Sequence, residues 1–204
     1  MDLEKIVEQI ETRIHEPPNV PFIQFIRPEK AENPTLKRMY KRVAASRKSV
    51  ANIHQSQSLM PEIIRNHLDL YMNIMYNDDT HLDRRQKELI ATVVSYLNSC
   101  KYCITHHYEA LLTHWPDAPP PKDLVLGKVQ MATRDLALIS FAAKLTLEPY
   151  SITENDISNL RTKEFDDKDI LNIILIISYF NFVNRLALGT GCPLERKEER
   201  DYKY

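Results

Sequence analysis

The residues best suited to chemistry lie between Glu88 and His107, where Cys100 and Cys103 form a C-x-x-C pair. His107 follows the second cysteine by four residues, and Glu88 precedes the first by twelve. On an α-helix, at about 100° per residue, the His107 imidazole falls on the same face as both sulfurs. Thiol, imidazole and carboxylate are the groups of a thiol redox site, in which the thiolate is the nucleophile.

Three effects are expected to make this pair reactive. A helix that starts near Cys100, capped by Asn98 or Ser99, would present partial positive charge that favours a thiolate. His107 could accept a thiol proton, and a carboxylate such as Glu88 could orient its ring. Two cysteines at i and i+3 can close a disulfide with little backbone movement. The spacing alone does not place Glu88 beside His107.

Neighbouring residues have simpler explanations. His106 lies further round the same helix and is expected to be a bystander or a wall of a substrate pocket. Tyr96 and Tyr102 are expected to pack against neighbouring side chains and to have no chemical role beyond lining that pocket. Cys192, a lone third cysteine, is expected to be inert. A structural zinc site usually takes ligands from two separate pairs, so the sequence favours redox chemistry over zinc and predicts neither metal nor cofactor.

The whole chain has the composition of one globular domain, 1–204. It is 43% hydrophobic and 27% charged, which suits a soluble protein with a real core. The net charge of −1 gives no general attraction to nucleic acid or membrane. The longest apolar run, Ile170 to Phe182, is too short to span a bilayer. With no secretion signal and only three cysteines, a cytoplasmic protein is expected.

The three glycines are too few for many hairpins or for a glycine-rich phosphate loop, so helices joined by proline-marked loops are predicted. A proline-rich arm, within an N-terminal region 1–34, is expected to lie on the body or on a neighbouring subunit. The charged tail, 193–204, is expected to fray from Glu195. The predicted helices cover residues 2–14, 35–55, 61–76, 84–97, 100–115, 122–131, 133–147, 154–161 and 166–188.

An internal sequence similarity favours a two-fold repeat of helical hairpins. Leu82-Asp83 and Val94-Ser95-Tyr96-Leu97-Asn98 recur, at an offset of 83, as Phe165-Asp166 and Ile177-Ser178-Tyr179-Phe180-Asn181. Chance similarity between two apolar helices is the alternative.

The spacing Glu88-x11-Cys100-x-x-Cys103-x-x-x-His107 resembles the signature of the AhpD-like proteins, the alkylhydroperoxidase branch of the carboxymuconolactone decarboxylase superfamily. Residues 95–103, 142–146 and 179–185 are similar to its uncharacterised peroxidase-related branch. The likeness covers a core of roughly residues 60–192. It implies an all-α, AhpD-like multi-helix fold that assembles into homo-oligomers, from dimers to hexamers.

By that resemblance, Cys103 is the peroxidatic thiolate that becomes a sulfenic acid. Cys100 donates a proton and then resolves the sulfenate as the disulfide Cys100–Cys103, while His107 and Glu88 form the proton relay. This chain departs from the best-known members at Tyr102, where they carry a histidine.

The function predicted from these residues is that of a thiol-dependent peroxidase or disulfide oxidoreductase. It would reduce alkyl hydroperoxides without a cofactor and be regenerated by a dithiol protein or a small thiol. Two alternatives stay open: a non-enzymatic redox sensor or interaction module that uses the same disulfide, and a zinc-binding module.

Overall fold

A computed structural model describes residues 2–200, and within that range the regular structure is helical throughout. The predicted all-α class is confirmed, while the internal repeat stays a prediction. The α-helices of this range are α1 (Leu3–Glu11), α2 (Pro34–Arg47), α3 (Asn52–Gln55), α4 (Pro61–Met75), α5 (Arg84–Leu97), α6 (Lys101–His114), α7 (Pro121–Leu126), α8 (Thr133–Leu147), α9 (Glu154–Arg161) and α10 (Asp167–Thr190). Short 3-10 helices cover Pro28–Lys30, Pro149–Ser151 and Lys197–Glu199.

Local capping chemistry sets several helix ends. The Asp83 carboxylate accepts from the Gln86 backbone N–H at 2.7 Å, and the Gln86 side chain accepts from the Asp83 N–H at 3.3 Å. This capping box starts α5 at the predicted position, 84–97. The predicted helix 122–131 is too long, because Gly127 ends α7 in the left-handed conformation (φ 61°).

The predicted single helix over 35–55 is wrong. The chain leaves α2 at Lys48, which takes a φ of 71°, and resumes helix at Asn52. There the backbone N–H donates to Glu195 Oε1 at 2.5 Å and the side-chain amide donates to the Pro193 carbonyl at 3.0 Å. Contacts with a segment more than 140 residues along the chain therefore place α3, and no local pattern could have predicted them.

Helix α5 is the centre of the core. Its side chains are buried without interruption from Gln86 to Leu97, and α6, α8 and α10 pack around it. Burial on all sides explains why polar residues of this helix need partners inside the protein. The carboxylate of Glu88, on α5, therefore belongs to the interior and not to the surface.

Helix α10 is long and apolar enough to cross a membrane by length and composition alone, unlike the shorter run Ile170 to Phe182 considered above. The protein itself buries 56% of its most apolar window, as expected of a core helix. On its outward face, Leu171, Leu175 and Phe182 are 55%, 40% and 49% exposed.

Both terminal segments lie on the helical body. The Phe22 N–H donates to the Thr190 carbonyl at 2.9 Å, and its ring covers Gly191, where an added Cβ would come within 2.7 Å of it. The expectation of a frayed tail is wrong for residues 195–200, because Glu195 is buried and Arg200 bonds Glu109 at 2.7 Å. Met1 and residues 201–204, the rest of the predicted tail, lie outside the described residues.

Candidate active site

The two cysteines lie at the start of α6, and both are buried. Cys100 is the N-cap residue, so the predicted cap at Asn98 or Ser99 is wrong. Ser99 takes a φ of 56°, and the Cys100 N–H bonds the Ser95 carbonyl at 3.0 Å, which closes α5 and turns the chain into α6. This short turn is what sets the cysteine pair against the core helix.

Cys100 and Cys103 are free thiols whose sulfurs lie 3.0 Å apart, with the Cys100 thiol donating to Cys103. In a disulfide the sulfurs are about 2.05 Å apart, so the pair must close by roughly 1 Å to bond. Rotation of the two side chains can supply such a movement. The two sulfurs are thus close together but not bonded, and a disulfide between them stays a prediction.

A network of three amides, of which Asn184 is buried and Asn98 and Asn181 are half-buried, holds the turn before Cys100. Asn98 Nδ2 donates to Asn181 Oδ1 at 3.0 Å and to Asn184 Oδ1 at 2.9 Å. Asn184 Nδ2 in turn donates to Ser95 Oγ at 3.1 Å. Sequence reasoning missed this role of Asn181 and Asn184, although asparagines inside an apolar helix were a usable signal, since buried amides need partners.

The structure joins Glu88 to His107. The Glu88 Oε2 atom lies 2.8 Å from His107 Nδ1, and the carboxylate is completely buried. Its other oxygen, Oε1, forms an ion pair with Arg84 Nη2 at 2.6 Å. The Arg84 guanidinium lies over the Tyr76 ring, 4.0 Å from its centre. Sequence reasoning missed Arg84, although its position one helical turn before Glu88 is typical of an ion pair.

These contacts decide the charges of the pair. Burial alone would raise the pKa of Glu88, but His107 and Arg84 together hold it below its ordinary value. Burial lowers the pKa of His107, against the opposing effect of Glu88. At neutral pH the pair is therefore an ionised Glu88 and a neutral His107. In that state Nδ1–H donates to the carboxylate, and Nε2 can accept a proton.

The thiol of Cys103 differs from the expectation. Burial raises its pKa well above the ordinary value and the adjacent Cys100 sulfur adds to the rise, while the Asn184 amide acts in the opposite direction. The helix N-terminus contributes only about 1 kcal/mol, which desolvation of a buried thiolate exceeds. The expectation of an unusually acidic thiol is therefore wrong for the reduced pair.

A cavity of about 70 Å³ lies beside Cys103. Because four histidines line it, we call it the histidine cavity. Such a volume exceeds the 10–15 Å³ or so that one water molecule needs, and a small peroxide is of similar size to a few waters. The wall includes the predicted site residues Cys103, His106, His107 and Tyr102, and also Arg47, His54, His67, Tyr71, Tyr179 and Phe180. Sequence reasoning missed His54 and His67, which come from α3 and α4.

The two sulfurs face different spaces. Cys103 lines the histidine cavity, whereas Cys100 lines a second pocket of about 280 Å³ that it shares with Cys192 and with Phe22 of the arm. Cys192 is buried there, and burial raises the pKa of its thiol. Tyr96 does not line the histidine cavity as allowed above, because its hydroxyl donates to Glu11 on α1 at 2.5 Å.

A second carboxylate, from the segment after α10, bonds two residues of the wall of the histidine cavity. Glu195 Oε2 lies 2.9 Å from His106 Nε2, and Glu195 Oε1 accepts from the Tyr102 hydroxyl at 3.0 Å. The Tyr102 hydroxyl also accepts from the Ile53 N–H at 3.2 Å. Sequence reasoning missed Glu195 because it assigned this residue to a frayed tail.

A group close enough to hold a metal ion was found elsewhere among the described residues. It consists of His81, Asp166 and Asp169 at the start of α10, where the two aspartates also form a capping box. It contains none of the cysteines on which a zinc interpretation depended.

Comparison with known proteins agrees with the fold. Residues 61–114, which run from α4 to α6, match the carboxymuconolactone decarboxylase family. No curated protein matches the chain. The fold resembles that of an uncharacterized peroxidase-related protein from Ralstonia eutropha JMP134, described as an alkylhydroperoxidase AhpD core (TM-score 0.76, 20% identity, covering 91% of this chain and 100% of that one).

Two further structures are similar. One is an uncharacterized peroxidase-related protein from Silicibacter sp. TM1040 (TM-score 0.72, 24% identity, 91% of this chain and 94% of that one). The other is the debrominase Bmp8 (TM-score 0.64, 17% identity, 90% and 96%). These structures show that the chain has an AhpD-like fold, and the family match over residues 61–114 agrees with the resemblance that the cysteine motif indicated.

Proposed function

We propose that this protein is a thiol-dependent peroxidase or disulfide oxidoreductase that reduces hydroperoxides through Cys100 and Cys103. The observation that carries the proposal is the asymmetry of the pair. Its sulfurs lie 3.0 Å apart, yet Cys103 lines the histidine cavity and Cys100 does not. The Cys103 sulfur can thus react with a substrate in the cavity, and the Cys100 sulfur is close enough to react with Cys103 afterwards.

In the proposed first step, Cys103 attacks the distal oxygen of the peroxide. The thiol proton passes to His107 as the S–O bond forms and the O–O bond breaks, so that Cys103 becomes a sulfenic acid and an alkoxide leaves. Because the pKa of Cys103 is raised at rest, the step needs this transfer to a base. The ionised Glu88 supports the imidazolium that His107 becomes.

In the second step, the Cys100 sulfur attacks the Cys103 sulfenic acid. The S–S bond forms as the S–O bond breaks, and the hydroxyl group leaves with the Cys100 proton as water. An external dithiol protein or small thiol would then reduce the disulfide by exchange. Reduced thiols are maintained in the cytoplasm, which is the location we propose.

The comparisons support this choice of chemistry without fixing the substrate. Two of the similar structures are peroxidase-related proteins, whereas Bmp8 is a debrominase. The small volume of the cavity, about 70 Å³, favours hydrogen peroxide or a short alkyl hydroperoxide. Its aromatic wall, which includes Tyr71, Tyr179 and Phe180, suits the alkyl part of such a molecule.

We also propose that the chain forms homo-oligomers. Leu171, Leu175 and Phe182 recur on one face of α10 at spacings of four and seven residues, and each is at least 40% exposed. A contiguous exposed apolar face usually marks an interface with another protein chain. A second copy of this chain is the partner that the family resemblance implies.

The deciding experiment is stopped-flow consumption of tert-butyl hydroperoxide by the whole protein with excess dithiothreitol. An enzyme gives many turnovers per chain. A redox sensor oxidises once and stops, which would replace this proposal by the sensor alternative. Zinc at one ion per chain in protein purified without chelator would instead support the metal-binding alternative.

A further inference from the structure

Two imidazoles of the same small cavity are each bonded to a carboxylate. Glu88 bonds His107, Glu195 bonds His106, and both imidazoles line the cavity beside Cys103. The reaction proposed above needs two proton transfers, one away from the thiol and one to the departing oxygen. In the step proposed above, His107 takes the thiol proton, and the departing oxygen still needs a proton donor.

The two pairs are set in different charge environments. Glu88 divides its charge between His107 and the Arg84 guanidinium, 2.6 Å away. Burial lowers the pKa of His107 and the Arg84 guanidinium acts in the same direction, so the ring is neutral and can accept a proton. Glu195 instead accepts hydrogen bonds from two neutral donors, the Tyr102 hydroxyl at 3.0 Å and the Asn52 N–H at 2.5 Å, and its ion pair is with His106 itself.

Glu195 is built as a buried anion. Its side chain is 7% exposed, and that of His106 is 9% exposed. Burial alone would raise the pKa of Glu195, but hydrogen bonds from His106 and from Asn52 lower it below its ordinary value. The Glu195 carboxylate lies 2.9 Å from His106 Nε2, so it fixes the position of an imidazole that lines the cavity.

We propose that His106, held in place by Glu195, is the acid that protonates the oxygen leaving the peroxide. Glu195 is the positioning residue. Two titratable groups in contrasting environments commonly divide the acid and base roles of a reaction in this way. The inference rests on the proposed peroxide reduction. It assigns a donor for the proton that the departing oxygen takes, whereas Glu88 and His107 remove the thiol proton.

The proton balance closes over one oxidation. His107 takes the thiol proton of Cys103, and the alkoxide takes a proton from the His106 imidazolium to leave as the alcohol. Transfer of a proton from His107, through water, restores His106. The net change is one hydroperoxide and one thiol converted to one alcohol and one sulfenic acid, with no proton gained or lost.

The leaving group provides a test that a purely structural role would not satisfy. An alkoxide is a poor leaving group that needs a proton, whereas the acetate that leaves peracetic acid does not. We expect Glu195→Gln to slow single-turnover oxidation of Cys103 by tert-butyl hydroperoxide by about a hundredfold, and oxidation by peracetic acid by less than about threefold. His106→Gln should reproduce this difference, and serves if Glu195→Gln does not fold.

Glu109→Gln is the matched control. Glu109 bonds Arg200, which lies on the same terminal segment as Glu195, but Glu109 itself does not line the cavity. It should leave the rates with both peroxides near those of the wild type. If Glu195→Gln and His106→Gln slow both peroxides equally, or neither, the acid role is overturned while the proposed function stands. A wild-type protein that reduces neither peroxide overturns both.

Discussion

Glu88 and His107 lie nineteen residues apart on two different helices, yet Glu88 Oε2 and His107 Nδ1 are 2.8 Å apart in the interior. The contact exists because the short turn at Ser99 folds α6 back on to α5. Arg84 balances the buried charge from the other side. The arrangement leaves a neutral imidazole directed by a carboxylate, next to a thiol that needs a base.

Replacing Glu88 by glutamine tests this relay. Without the carboxylate, His107 is a weaker base and its imidazolium loses support, so the pKa of the reactive thiol should rise further. We expect alkylation of Cys103 by iodoacetamide at pH 7.5 to slow by roughly tenfold to a hundredfold. Loss of the ion pair between the fully buried Glu88 and the partly buried Arg84 should also cost about 3 kcal/mol of stability.

The measurement is the pH dependence of Cys103 alkylation, followed by mass spectrometry of the labelled peptide. Glu109→Gln is the control, because it removes a partly exposed carboxylate from the same helix as His107. A pH profile identical to that of the wild type would remove Glu88 from the relay.

The two cysteines should give different products after one equivalent of peroxide. Cys100→Ser should retain a sulfenic acid at Cys103 that dimedone labels, because no resolving thiol remains. Cys103→Ser should lose peroxide reduction, because the remaining sulfur faces the other pocket. Cys192→Ser should keep turnover. Dimedone labelling at Cys100 in Cys103→Ser would show that the two roles are reversed.

Stability should fall as the solution becomes mildly acidic, because His67 is buried as the neutral ring. Burial lowers its pKa to about 4, from an ordinary value near 6.5. Below pH 6.5 the unfolded chain binds a proton that the folded protein does not. The stability due to this residue is therefore complete above pH 6.5 and is lost between pH 6.5 and pH 4, by about 2 kcal/mol at pH 5.

Urea unfolding at pH 7 and pH 5 measures this effect. In His67→Gln, which retains an amide for Gln57 to bond, the loss between the two pH values should be about 2 kcal/mol smaller than in the wild type. His114→Gln, on the exposed end of α6, should change the loss little. An equal loss in the wild type and in His67→Gln would contradict the prediction.

The outward face of α10 should hold copies of the chain together. The double variant Leu171→Glu/Leu175→Glu places two like charges on that face and should shift the wild-type oligomer to a monomer in light scattering after size-exclusion chromatography. Tyr150→Glu, at an 87% exposed site elsewhere, should leave the assembly unchanged. A monomeric wild-type protein would remove the proposed interface.

Local patterns predicted the scaffold of the site well. The start of α5 depends on a capping box between Asp83 and Gln86, which are only three residues apart. The predicted bounds 84–97 could therefore be derived from local sequence. The positions of Cys100, Cys103 and His107 on one helix depend only on helical periodicity. The end of α2 was not predictable, because Lys48 leaves the helix where distant residues 193–195 bond α3.

Residue types and spacing by themselves determined which atoms could react: two thiols, an imidazole one turn on and a carboxylate on the helix before. Only the tertiary structure decided their state and their partners. It brought Glu88 to His107 and Glu195 to His106, and it buried Cys103 so that its pKa rises where a helix N-terminus alone would have lowered it. The reason is physical: periodicity is a property of neighbouring residues, whereas desolvation and buried charge pairing depend on segments that meet only when the chain has folded.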